Sequence, residues 1–219
     1  VSAAGAALAF LVGARAVSGP APDDGPTVAF VNGVIASTTI PWTSALAARG
    51  MVYAPPRVLF LRMPAGHPAR GNAYSSLVGL QIDLGDMRAL GEIADPQARS
   101  VAAFIVAHEI GHHVQHLLSL APGETALAPG AGRELQADCY AGWSLARASP
   151  PGGDARLEPW RSDVDVEQRL SRGLMVLGVL ERGRLTLRRD APVESDHGDL
   201  AQRVAAIRKG LALSTPWKC

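Results

Sequence analysis

From Asp95 to Leu118 the chain carries no helix breaker except Gly111, and this stretch ends in VAHEIGHHVQHLL, Val106 to Leu118. Asp95-Pro96 supplies an N-cap and a first-turn proline, and Pro122-Gly123 supplies the stop. The run VAAFIVA ahead of His108 is apolar on nearly every face, so the predicted helix is central rather than superficial. On it, His108 and His112 are four residues apart and share a face, with Glu109 directly after the first. Two neutral imidazoles converging on one ion, with a carboxylate beside them, is the zinc-hydrolase arrangement H-E-x-x-H, in which the Glu serves as general base. Four of the six histidines fall between 108 and 116, which a metal site would account for.

A catalytic zinc needs a third protein ligand and an open position. His116 continues the four-residue spacing, but the eight residues from His108 to His116 span about 12 Å of helix, too far for bonds of about 2 Å. His113 projects to another side. The longer pattern H-E-x-x-H-x-x-G-x-x-H fails as well, because Gln115 and Leu118 stand at its last two signature positions. A carboxylate from another helix remains. Glu134 and Asp138 are i, i+4 partners on the next predicted helix, about Arg133 to Ala148, which the short Ser119–Gly132 connection can fold back antiparallel. Glu134 as ligand, with Asp138 holding a ligand histidine by its free ring N–H, would supply both shells. The alternative is a surface Glu/Asp pair on an amphipathic helix.

The rest of the chain predicts an α+β fold: a small N-terminal sheet packed on a helical core. Thr27–Val31 and Val34–Ala36 read as short strands about an Asn32-Gly33 turn. Pro41–Ala48 reads as a short helix starting at its proline. Arg57–Leu61 and Leu80–Leu84 read as strands, with Pro64–Ser76 as a loop or hairpin tip in which His67 is solvent-exposed. Later helices are expected at Ser162–Glu181 and Asp199–Leu211, separated by a charged connector at Arg182–Arg189. Residues 1–26 read as a separate apolar and linker segment ahead of a domain over 27–219. Ala3–Val12 is too short for a membrane span; it resembles the hydrophobic part of a signal peptide, with Ala14 and Ala16 placed as at a cleavage site. An ordinary first helix and the end of a longer anchor are the alternatives. Of the 219 residues 47% are apolar, enough for a real core, and a formal net charge of +1 gives no reason to expect nucleic acid as a partner. Cys139 and Cys219 lack metal-knuckle spacing and could be two buried thiols or one disulfide.

HEIGHHVQ followed by ELQADCYAG resembles the putative neutral zinc metallopeptidase family of bacteria, a gluzincin-type group. SDHGDLAQRVAAIRKGL is similar to that family's H-G-x-x-x-x-R segment, and YAPPRVLFL and LQIDL match more weakly, so the resemblance spans about Trp42 to Cys219. It implies His108, His112 and Glu134 as ligands of one zinc ion, Glu109 as base and Asp138 behind the ligands. It further suggests that His197 donates to the oxyanion while Arg203 orients Glu134 or the site wall; an N-cap histidine and a surface arginine are the alternatives. It suggests a Cys139–Cys219 disulfide, which only an exported protein would be expected to keep. Many members carry a further cysteine pair near Ala65-Gly66 and Tyr74-Ser75, absent here, which predicts a shorter or looser segment.

These readings converge on hydrolysis of a peptide bond in a peptide or unfolded protein, with Leu80–Leu84 as an edge strand aligning it. An exported or membrane-anchored location, with membrane association through the N-terminus, goes with that reading. The rivals are a catalytically idle, membrane-associated scaffold and a zinc hydrolase of non-peptide amides.

Overall fold

The computed structural model describes residues 22–62, 72–92, 96–121, 129–148 and 197–219. The apolar stretch before residue 17, His67, the expected Ser162–Glu181 helix with its connector, and the Ala65-Gly66 neighbourhood lie outside them. The fold is α+β: five α-helices and a three-stranded mixed sheet among the described residues.

α1 runs from Gly25 to Ala47 and overturns the two short strands expected over Thr27–Ala36. The β-branched residues and the Asn-Gly pair mimic a hairpin, but Phe30, Val31, Val34, Ile35, Thr38, Trp42 and Leu46 are all buried. Their spacing is that of one helix stripe, and burial of that stripe outweighs local turn preference. Pro41 is inside this helix rather than at a start. The linker expected over Gly19–Pro26 already carries a 3-10 turn at Pro22–Asp24, where Asp24 is buried and takes an ion pair from Arg62.

β1 (Val58–Leu61), β2 (Ala73–Ser75) and β3 (Gly79–Asp83) form a sheet in the order β1-β3-β2. β1 pairs with β3 in parallel and β2 with β3 antiparallel. The Leu80–Leu84 segment is therefore the middle strand, and its main-chain groups are already paired on both sides. The expectation that it is a substrate-binding edge is corrected: β2 and β1 are the edges. β3 runs directly into α2 (Leu84–Glu92), started by the Asp83 carboxylate, which accepts from the Asp86 N–H at 3.1 Å.

α3 (Pro96–Ser119) is the central helix. Val101, Ala103, Val106, Ala107, Ile110 and Val114 have no exposed surface. α4 (Ala131–Arg147) folds back along it, and a Cβ at Gly111 would lie 3.0 Å from the Ala137 carbonyl, so glycine sets how closely the two helices approach. α4 also carries Tyr140 and Trp143 onto the Trp42 ring of α1. α5 (Leu200–Ala212) packs on the other side of α4, where a Cβ at Gly142 would meet the Ile207 carbonyl at 2.5 Å. A disulfide joins Cys139 on α4 to Cys219, beyond the Pro216–Lys218 3-10 turn. Among the described residues no helix is long and apolar enough to cross a membrane.

Candidate metal centre

Helix periodicity puts His108 and His112 one above the other on the face of α3 turned to α4, and the antiparallel return brings Glu134 opposite them. Glu134 Oε2 lies 3.2 Å from His108 Nε2 and 3.1 Å from His112 Nε2, and the two ring nitrogens are 3.1 Å apart. Both histidines are buried and Glu134 nearly so. These three donor atoms form the candidate metal cluster among the described residues.

The outer hydrogen bonds fix which ring nitrogen faces the cluster. His108 Nδ1 is 2.8 Å from Asp138 Oδ1. A carboxylate with no proton only accepts, so Nδ1 carries the hydrogen and the Nε2 lone pair points inward. Gln115 Nε2 donates to the Arg133 carbonyl at 2.8 Å, which leaves Gln115 Oε1 facing His112 Nδ1 at 2.8 Å. That nitrogen must donate too, so the second Nε2 lone pair also points inward. Three acceptors about 3 Å apart repel one another unless a proton or a metal cation lies among them. Donors on a tetrahedral ion with bonds of about 2.0–2.1 Å would be about 3.3 Å apart, so the spacing fits zinc closely.

With no ion among them, the same groups hold a proton in its place. Burial opposes charging His108, but hydrogen bonds to Asp138 and Glu134, reinforced by the charges of Asp138 and Glu109, push it up to about 9. Burial would raise Glu134, yet hydrogen bonds from His108 and His112 hold it well below the usual carboxylate range. Asp138 is likewise held down, against its burial, by His108 and Arg203. The pocket favours positive charge at its centre.

Around this core the sequence-predicted residues fall as follows. Glu109 is buried on α3 beside the pair. Asp138 stands behind His108 and also accepts from Arg203, at 2.8 Å to Nε and 3.0 Å to Nη2. Arg203 thus holds Asp138, in the wall behind His108; the expectation gave it Glu134 or the site wall. His197 is half-exposed, with Nε2 3.3 Å from Glu134 Oε2 and its ring centroid 6.0 Å from that of His108. It precedes α5 without capping it; Asp199 fills that role through a capping box with Gln202. Burial lowers the His197 pKa.

His113 lies outside the cluster. Burial keeps it neutral by lowering its pKa. Its Nε2–H donates to the Ala54 carbonyl at 2.7 Å, so Nδ1 accepts from the Tyr74 hydroxyl at 3.1 Å. His113 therefore ties the edge strand β2 to the metal helix. His116 is also outside the cluster, packed near the Tyr74 ring. Sequence reasoning missed Gln115 and Tyr74. Gln115 could have been noticed as the residue three beyond His112, one turn along the same face; Tyr74 gave no local signal.

The sequence pattern of the family described as "Putative neutral zinc metallopeptidase" matches residues 13–219. Among curated relatives, "Uncharacterized protein YpfJ" of Escherichia coli is 24% identical over 216 residues, covering 90% of this chain and 72% of its own. "Uncharacterized protein Rv2575" of Mycobacterium tuberculosis and "Uncharacterized protein Mb2605" of Mycobacterium bovis are each 35% identical over 125 residues, 53% of this chain and 42% of theirs. No solved structure matches the chain.

Proposed function

The chain belongs to the putative neutral zinc metallopeptidase family, and on that premise we propose that it is a zinc-dependent peptidase acting on peptides or unfolded proteins. The observation that carries the reading is the convergence of His108 Nε2, His112 Nε2 and Glu134 Oε2 within 3.2 Å of one another, with Glu109 buried next to them. Bound there, zinc would supply a Lewis acid that lowers the pKa of water toward about 7 and polarises a carbonyl oxygen.

The chain's own residues do the rest. Glu109 takes the proton of the attacking water and passes it to the leaving amine. His197, half-exposed beside Glu134, donates a hydrogen bond to the oxygen that gains charge. Asp138 keeps the His108 hydrogen on Nδ1, and Arg203 keeps Asp138 ionised and in place. The edge of β2, which pairs with no further strand among the described residues and is tied to α3 through Tyr74 and His113, offers main-chain groups to an extended substrate. Location outside the cytoplasm belongs to the same proposal and is supported by the Cys139–Cys219 disulfide.

The test is zinc content together with cleavage of an unfolded protein, for wild type and Glu109→Gln. The expected result is equal zinc in both and a loss of cleavage of at least about 100-fold in the variant. Zinc retained with no Glu109-dependent cleavage would overturn the peptidase reading, and no zinc in either would overturn the site.

A further inference from the structure

One helical turn beyond His112 a cavity of about 350 Å³ opens between β2 and the start of α4. Its lining residues are polar or amphipathic: Ser75, Ser76, Ser119, Tyr74, His116 and Arg133. Among the described residues no carboxylate lines it. Gln115 forms part of the wall and its amide is fully used. Its oxygen faces His112 and Arg133, and its nitrogen donates to the Arg133 carbonyl and to Gln136 Oε1 at 3.0 Å. Among the described residues the Arg133 side chain spends only Nε, in a long 3.4 Å bond to Gln115. Among the described residues its guanidinium pairs with no carboxylate, although it is half-buried. An arginine fork of this kind matches a carboxylate through two parallel N–H bonds.

We propose that this cavity is a specificity subsite that receives an acidic side chain of the substrate. Arg133 grips the carboxylate, and the serine hydroxyls complete its hydrogen bonds. The position along the peptide follows from geometry. One helix turn is about 5.4 Å and an extended peptide advances about 3.3 Å per residue, so the acidic residue lies about two positions from the cleaved bond. Gln115 joins the subsite to the metal centre, because the amide that walls the cavity also holds His112. The proposal rests on the peptidase reading for its choice of a peptide as carrier of the carboxylate.

The experiment measures binding, so that it does not depend on turnover. Zinc-loaded Glu109→Gln protein is titrated with fluorescein-labelled neutral peptides in which a single Glu, Gln or Lys is scanned through successive positions. At one position Glu should bind about tenfold tighter than Gln, the advantage of a charge-assisted fork. Adding Arg133→Met should bring that ratio to about one, and adding Arg133→Glu should turn the preference toward Lys. Ratios taken within each protein cancel any general loss, and the Lys preference is a result that mere structural damage cannot produce. A ratio of one at every position, a Glu preference that survives Arg133→Met, or no peptide binding at all overturns the subsite. If an Arg133-dependent Glu preference is found while the wild type cleaves none of the peptides, the peptidase reading fails and the subsite stands.

Discussion

Asp138 has no exposed surface and serves two partners at once, accepting the His108 ring hydrogen and a forked pair of bonds from Arg203. Gln115 does the corresponding work for His112 with a neutral oxygen. The two candidate ligand histidines therefore differ in what stands behind them, a charge in one case and a dipole in the other. Outer partners of metal histidines are worth about 10–100-fold in affinity, and the charged one should lie at the upper end. In Asp138→Asn the new amide can still offer an oxygen to His108, but it removes the charge and turns donors toward Arg203. We expect zinc affinity to fall about 100-fold in Asp138→Asn and about tenfold in Gln115→Leu, read by competition with a chromophoric chelator. The reverse order would show that hydrogen-bond direction, rather than charge, sets the strength of the site.

At the level of elements, the site depends on how closely α3 and α4 approach. Gly111→Ala should gain about 1 kcal/mol of helix propensity. Its Cβ, however, would lie 3.0 Å from the carbonyl of Ala137 on a packed helix, and overpacking of this kind costs about 1–3 kcal/mol. Packing should win, with the melting temperature of the zinc-free protein falling by about 2–6 °C. Gly91→Ala, in α2 with nothing within 4 Å of the added carbon, should raise it by up to about 3 °C. A rise for both would mean that the helices part freely. These elements also show what the sequence made legible. α3 was readable because its caps, its apolar body and its histidine spacing all agree, and α4 because a short connection leaves it one place to go. α1 misled because Val, Ile, Thr and an Asn-Gly pair favour strands locally, while the packing of Trp42 on Tyr140 and Trp143 is a distant fact. β3 was seen as a strand but taken for an edge, since strand order depends on β1 pairing in parallel with β3 rather than with β2, its neighbour in sequence. The clustering of His108, His112 and Glu134 was legible from spacing and resemblance; the Tyr74–His113–Ala54 tie was not, because its members come from three separate segments.

Across the whole molecule α4 is fastened twice, by the cluster near its start and by the disulfide at Cys139. A metal ion on the cluster would close a loop between His112 and Glu134, whereas the disulfide closes one of 80 residues between Cys139 and Cys219. The two loops do not overlap in sequence, so each restricts a different part of the unfolded chain. The disulfide should contribute about 4 kcal/mol by loop closure, and zinc about 4 kcal/mol at a free concentration a thousand times its dissociation constant. Within the folded state they could still couple, because Asp138 adjoins Cys139 and is held by Arg203, which lies inside the disulfide loop. Against that coupling, α4 and α5 are kept together without the disulfide. Gly142 lets Ile207 approach, Arg203 grips Asp138, and Arg147 donates to the Leu213 carbonyl. We therefore expect the two contributions to add within about 0.5 kcal/mol, which is about a twofold change in zinc affinity on loss of the disulfide. The measurement is guanidinium denaturation of wild type and a Cys139→Ala/Cys219→Ala variant, each with zinc and after chelation. Zinc loss in the variant would mean that the disulfide, and with it an oxidising compartment, is a condition of the metal site; additivity would make the site a property of the α3–α4–α5 packing alone.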